Sequence, residues 1–274
     1  MKVIFFGSSA YVLPIIQILH DHFDLTLVVT TEKNNTDPVP TLCKQLGTDI
    51  LTTNTLVPDE IEMKLRNENA DVAIVASFGL IIPEEILHIF PKGIVNIHPS
   101  YLPYYRGSTP IQTALANGDT ETAVSIMVID TKMDHGPLLS QLPLAITPED
   151  TTQSLYEKAF QMGAEKLVDI LPAYVEGTIE PREQDHSKAT FTPKEFTRES
   201  GFFEITNPPA NLSHLIRAYY PWPGVWTKIR INDQEKVLKL LPNNMFQVEG
   251  KNPVNKKDLL NGYPQLKEVL TKLN

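Results

Sequence analysis

Asn96-Ile97-His98-Pro99 places an amide and an imidazole two residues apart. In a strand such residues share a face while Ile97 takes the other, and Pro99 biases His98 toward extended geometry. The pair falls where a buried strand ends, and open α/β sheets bind ligands beyond the carboxyl ends of their strands. An amide and an imidazole aimed together there can hold an oxyanion and move a proton. A polar pair at a strand end more often just bonds its own loop. Farther on, Asp134 stands in Ile129-Asp130-Thr131-Lys132-Met133-Asp134-His135-Gly136-Pro137, a tight turn between two strand patterns. It reads either as a turn-forming aspartate or as the carboxylate of the same constellation. His135 reads as a turn residue, and no metal is expected, because no second ligand stands at a plausible spacing.

The elements around these residues alternate strand and helix. Lys2–Phe6, Leu25–Thr30, Ile50-Leu51, Val72–Ala76 and Gly93–His98 are apolar runs suited to buried strands. Between them Val12–Leu19, Val39–Leu46, Pro58–Asn67 and Glu84–Phe90, opened by Pro83, have helical character. This succession predicts an α/β fold with a mostly parallel sheet. Thr109-Pro110 caps a helix that Gly118 stops, Val124–Ile129 and Leu138–Ile146 can pair antiparallel, and Thr151–Val175 is a long amphipathic helix. Prolines at 181, 193, 208 and 209 punctuate a polar connector, followed by a helix over Leu212–Ala218 and strands over Val225–Ile231 and Val237–Leu241. The expected domains are a catalytic one over 1–180, a connector over 181–207 and a small basic, β-rich one over 208–274.

The 274 residues are 42% hydrophobic and 21% charged, enough for one large and one smaller domain. Cys43 is the single cysteine, which rules out an intramolecular disulfide and fits a reducing compartment. The apolar start is far shorter than the ~20 residues of a membrane span, so a cytoplasmic protein without membrane contact is expected. A net charge of −9 argues against a general nucleic-acid binder. Yet residues 1–187 hold 11 Lys/Arg against 25 Asp/Glu, net −14, and residues 188–274 hold 13 against 8, net +5. That asymmetry is either surface variation or an acidic catalytic domain joined to one that meets an anionic partner.

Taken together, Asn96-x-His98-Pro99-Ser100-x-Leu102-Pro103, Arg106-Gly107 and Asp134-x-Gly136-Pro137 resemble the 10-formyltetrahydrofolate-dependent formyltransferase superfamily in order and spacing. Ser77-Phe78-Gly79-Leu80-Ile81-Ile82-Pro83 is similar to its pterin-side loop. Ala189-Thr190-Phe191-Thr192, Arg217 to Pro223 and Leu259-Leu260-Asn261-Gly262-Tyr263 resemble the methionyl-tRNA formyltransferase branch. The resemblance implies a Rossmann-like N-terminal domain and an OB-like C-terminal domain. It implies formyl transfer from 10-formyltetrahydrofolate to the α-amino group of initiator methionyl-tRNA, with Asn96, His98 and Asp134 catalytic. Asn96 and protonated His98 would donate to the oxyanion, where one donor is worth roughly 3 kcal/mol. Asp134 would favour the charged imidazole and relay the amine's proton toward the folate nitrogen. Phe78, Gly79, Leu80, Ile82, Pro99, Ser100, Leu102 and Pro103 would face the folate. Phe78, Leu80 and Ile82 suit a packed strand-to-helix junction almost as well. Gly7, Ser8, Ser9, Arg106, Gly107, Arg217, Lys228 and Arg230 would face the acceptor. Gly7-Ser8-Ser9 lacks dinucleotide-loop spacing.

Two segments depart from that branch. It carries a glycine- and lysine-rich loop after the second strand, whereas Thr31–Pro38 is short and nearly without net charge. The C-terminal domain also lacks a stretch between Leu241 and Asn243-Asn244. Both losses reduce the expected phosphate contacts. A formyltransferase acting on a small amine, such as an amino-sugar nucleotide, therefore stays open beside the tRNA enzyme, as does a catalytically silent RNA- or folate-binding protein. The expected form is a monomer.

Overall fold

The structure, a computed structural model, describes residues 1–31, 37–271 and 273. Most of the 31–38 loop thus lies outside the described residues. The chain packs as two units, one of 1–108, 122–144 and 156–192, the other of 109–121, 145–155 and 193–274.

In the first unit the apolar runs become strands because most of their residues face one of two cores. In chain order come β1 (Lys2–Gly7), α1 (Leu13–His22), β2 (Asp24–Thr30), α2 (Pro38–Leu46), β3 (Asp49–Thr52), α3 (Pro58–Asn67), β4 (Val72–Ala76), α4 (Glu84–Leu87) and β5 (Ile94–His98). After α5 (Pro110–Asn117) of the second unit, β6 (Glu121–Val128), β7 (Leu138–Ala145) and α6 (Thr152–Val175) follow. The sheet order is β3-β2-β1-β4-β5-β6-β7. Its first five strands are parallel, and β6 joins β5 antiparallel with His98 opposite Ser125.

Alternation divides each strand between two cores. Val3, Phe5, Ile74, Val95 and Ile97 pack beneath α1, α2 and α6, while Ile4, Phe6, Ala73, Val75 and Ile94 pack beneath α3 and α4. Chain order reverses between β1 and β4, so the carboxyl ends of β1, β4 and β5 open at the switch point of the sheet. Among the described residues no helix is long and apolar enough to cross a membrane.

Two local expectations need correction. The helix after Pro83 stops at Leu87, not Phe90, because Phe90 turns inward to meet the Phe6 ring edge-on at 6.4 Å. Thr109 makes no capping bond to α5; its hydroxyl donates to the Pro193 carbonyl at 2.8 Å.

The second unit adds α7 (Leu212–Ala218), β8 (Val225–Ile231), β9 (Gln234–Leu241), β10 (Met245–Val248), β11 (Val254–Asn255), α8 (Lys256–Gly262) and α9 (Lys267–Thr271). Its antiparallel sheet has the order β11-β10-β9-β8. Asn232 and Asp233 both take positive φ between β8 and β9, the two-residue turn that matches strand twist. Asn243 and Asn244 take φ 60° and 54°, closing β9 directly onto β10 where the sequence resemblance leads one to expect a longer stretch.

Candidate active site

β5 delivers Asn96 and His98 to the carboxyl edge of the first unit's sheet, with Ile97 turned into the core. The turn after β6 brings Asp134 to them with φ 47°, a left-handed backbone that aspartate tolerates better than most residues. Asn96 Nδ2 donates to Asp134 Oδ1 at 3.3 Å, and His98 Nδ1 lies 3.6 Å from the same oxygen. The backbone N–H of Gly107 donates to the other oxygen, Oδ2, at 2.7 Å. His98 Nε2 lies 3.0 Å from the Tyr105 carbonyl, which can only accept. Both ring nitrogens therefore face acceptors, an arrangement that a doubly protonated imidazole satisfies. His98 is buried and Asp134 half-buried, so charge here is weakly screened. The three residues singled out by type and spacing are thus brought together, 38 positions apart in the chain.

The loop from β5 to Gly107 is held by bonds that a sequence does not display. Ser100 Oγ donates to Tyr104 O at 2.6 Å, and Ser125 Oγ of β6 donates to Ser100 O at 2.6 Å. Leu102 is buried against Met127 and Leu138, Pro99 is buried, and Pro103 accepts from Thr190 N at 3.2 Å. Ser100 and Leu102, expected to face the folate, frame the loop instead, because each is fully enclosed by β6 and its neighbours.

Arg106 is likewise turned inward and 3% exposed, against its expected place at the acceptor. Its Nη2 donates to Gln184 Oε1 at 2.7 Å and to His186 Nδ1 at 2.9 Å. Burial lowers the guanidinium's pKa, and the charges of Asp134 and then Asp130 pull the other way. Gly107 has φ 118°, and a Cβ there would stand 2.5 Å from Thr192 Oγ1. Glycine at 107 is what lets its N–H reach the Asp134 carboxylate.

At the end of β1, Ser8 is fully buried, bonded to the Thr31 hydroxyl at 2.8 Å and accepting from Thr31 N at 3.0 Å. It ties β1 to β2 and offers nothing to an acceptor. Gly7 is buried too, and a Cβ there would collide with the Phe5 ring and the Ala76 carbonyl. Its need is packing. Ser9 is half-buried and takes φ 89°.

After β4, Ser77 and Gly79 take φ 46° and 82° and turn the chain sharply. Phe78 is buried and meets Phe6 edge-on at 5.5 Å, so it belongs to the core. Leu80 and Ile82 are half-buried, and Ile81 is 88% exposed. An apolar edge that could meet a flat ring is left at 80–82.

The expected acceptor residues of the second unit are not gathered. Arg217 Nη1 donates to the carbonyls of Thr147 and Asp150 at 3.2 and 3.1 Å, which makes it a brace between its own helix and that loop. Lys228 pairs with Glu235 at 2.8 Å. Arg230 shares the exposed face of β8 with it. Tyr219 is buried against Phe196 and Trp222 is exposed.

The sequence missed Gln184 and His186. Gln184 Nε2 donates to the carbonyls of Asp134 and Gly136 at 3.0 and 2.7 Å, gripping the Asp134 turn from the connector. The one local signal was the Ala189–Thr192 segment beside them, whose Thr190 and Thr192 bond the backbone of Arg106. Among the described residues no group of three or more His, Cys, Asp or Glu is arranged to hold a metal ion.

Residues 14–171 match the Formyl transferase family. A methionyl-tRNA formyltransferase of Roseiflexus sp. (strain RS-1) is 39% identical over 240 residues, covering 84% of this chain and 74% of that protein. The solved methionyl-tRNA formyltransferase from Clostridium thermocellum superposes with a TM-score of 0.63 at 18% identity, over 93% of this chain and 96% of that one. An N-formyltransferase from Helicobacter canadensis, solved with folinic acid and dTDP-3-aminofucose, gives a TM-score of 0.66 at 17% identity, over 90% and 94%.

Proposed function

The chain belongs to the formyl transferase family, in its methionyl-tRNA formyltransferase branch, and on that premise we propose that it moves the formyl group of 10-formyltetrahydrofolate to the α-amino group of initiator methionyl-tRNA. The observation that carries this reading is the single carboxylate oxygen, Asp134 Oδ1, shared by Asn96 at 3.3 Å and His98 at 3.6 Å. Folate is a substrate here, consumed at each turnover.

Asn96 Nδ2 and His98 Nδ1, which at 3.6 Å from Asp134 is too far to be bound to it, stand ready to donate to the formyl oxygen as the neutral amine adds to the formyl carbon, and preorganised donors of this kind usually do most to lower the barrier of such a reaction. Asp134 Oδ1 then takes the proton that the amine loses on forming its new C–N bond. The bond between the formyl carbon and the folate nitrogen breaks, and Asp134 returns the proton to that nitrogen, directly or through water, so charge and atoms balance. Gly107 N–H keeps Oδ2 occupied and leaves Oδ1 for this work. The apolar edge at Leu80–Ile82 receives the pterin, and the basic segment 188–274 meets the tRNA. The protein acts in the cytoplasm, as a monomer.

The test is incubation of the purified chain with 10-formyltetrahydrofolate and either charged initiator tRNA or an amino-sugar nucleotide. Formylation of the methionyl-tRNA alone is expected. Formylation of the sugar nucleotide alone would replace the acceptor and keep the chemistry, and no formyl transfer to either would sink the reading.

A further inference from the structure

Two imidazoles lie face to face beside the catalytic turn, and the chemistry above makes no use of them. The rings of His135 and His186 are 3.8 Å apart between centroids and 7° from parallel. His135 follows Asp134 directly in the chain. Its Nδ1 meets Asp130 Oδ2 at 2.6 Å, which pins the turn to the segment leaving β6. His186 Nδ1 meets Arg106 Nη2 at 2.9 Å. A guanidinium only donates, so His186 Nδ1 must be the unprotonated acceptor, with its proton on Nε2, which faces Glu183 at 3.9 Å.

These contacts form a closed circuit. From Asp134 the chain passes to His135, whose ring stacks on His186; His186 holds Arg106; Arg106 holds Gln184; and Gln184 returns to the carbonyls of Asp134 and Gly136. Arg106 also carries Gly107, whose N–H fixes Asp134 Oδ2. With Oδ2 fixed, Oδ1 is the oxygen left for Asn96 and His98. A displacement of about 1 Å at such a group can lower turnover by roughly 100-fold.

We infer that His135 and His186 are a positioning pair that sets the aim of the Asp134 carboxylate through Arg106 and Gly107. The inference rests on the proposed function only in assigning Asp134 to the chemistry; the geometry it claims can be read without turnover. Asn at 186 places a carbonyl oxygen where His places Nδ1, whereas Lys places a cation against Arg106.

The experiment uses the full chain in four forms: parent, His186→Ala, His186→Asn and His135→Phe, the last keeping an aromatic stack and losing the Asp130 bond. The first reading is the Gly107 amide resonance, which its short bond to a carboxylate should place downfield. It should move in His186→Ala and return toward the parent position in His186→Asn. The second is steady-state formylation of methionyl-tRNA. In His186→Ala, kcat should fall about 10-fold with both KM values held within about 2-fold, and Asn should restore most of it. In His135→Phe the expected loss is smaller and again in kcat. A packing role alone would lower the melting temperature of Ala and Asn variants alike and leave the Gly107 resonance in place. An unmoved resonance in both His186→Ala and His135→Phe, or equal losses in Ala and Asn, would overturn the pair. Failure of the parent to formylate any acceptor would overturn the proposed function, and the Gly107 resonance would still decide the pair.

Discussion

The corner around Asp134 and the exposed face of β8 and β9 both carry polar residues that the sequence singled out, and they are built on opposite plans. At the corner, groups from residues 96, 98, 107 and 184 converge on one aspartate, by side chain, N–H and carbonyl. On the β8–β9 face, each charge is answered locally or left in solvent: Lys228 by Glu235, Arg230 lying opposite the same glutamate in register. Chemistry needs a few groups held within tenths of an ångström. Attraction to a polyanion needs only a sum of charges, which salt screens and single substitutions barely change.

The largest effect expected from this contrast is at the corner. His98→Ala and Asn96→Ala should each lower kcat by about 100- to 1000-fold with little change in melting temperature, and the double variant should lose little more than either single one. Steady-state kinetics and thermal unfolding on the same preparations check both halves. Additive losses would mean that the two residues do not act as a unit.

Next is Gly107→Ala, which forces a side chain onto Thr192 at a positive φ. Turnover should fall about 10-fold or more, because the N–H that orients Asp134 must shift. Unchanged turnover would remove Gly107 from the site and leave the corner less precise than described.

Leu80→Glu places a charge on the half-buried apolar edge after β4. Folate analogues should raise the parent's melting temperature by binding the native state, and this shift should vanish in the variant. A shift of parental size would place the pterin elsewhere. Ser8→Ala separates structure from chemistry, since it breaks the tie between β1 and β2. It should lower stability by about 1–3 kcal/mol with kcat unchanged, read by denaturant unfolding and turnover together.

The smallest per-residue effect belongs to the β8–β9 face. Reversing Lys228 and Arg230 to Glu should weaken tRNA formylation and flatten its dependence on log salt by close to one unit per lost contact. An identical salt profile would take that face out of RNA binding.

What could be read from the sequence follows the same division. Val72–Ala76, Leu212–Ala218 and Val225–Ile231 were legible to the residue, because period and burial agree over the whole element. Asn96 and His98 were legible because two-residue spacing in a strand fixes a shared face. Gln184 and His186 were not, since their bonds reach Arg106 across 78 and 80 positions and leave no local pattern. The same lack of local signal hid the inward turn of Arg106 and the burial of Ser8 and Phe78. A basic or hydroxyl residue in a loop looks alike whether it meets a ligand or its own backbone. The strands β10 and β11 were too short to show a period.

The most direct test is Asp134→Asn, measured for turnover of methionyl-tRNA and for the folate-induced rise in melting temperature. The substitution keeps the size of the side chain and removes its charge and its capacity to take a proton. Turnover reduced by about 1000-fold or more with the folate shift intact is the predicted result. Parental turnover in the folded variant would contradict the claim that this carboxylate carries the reaction.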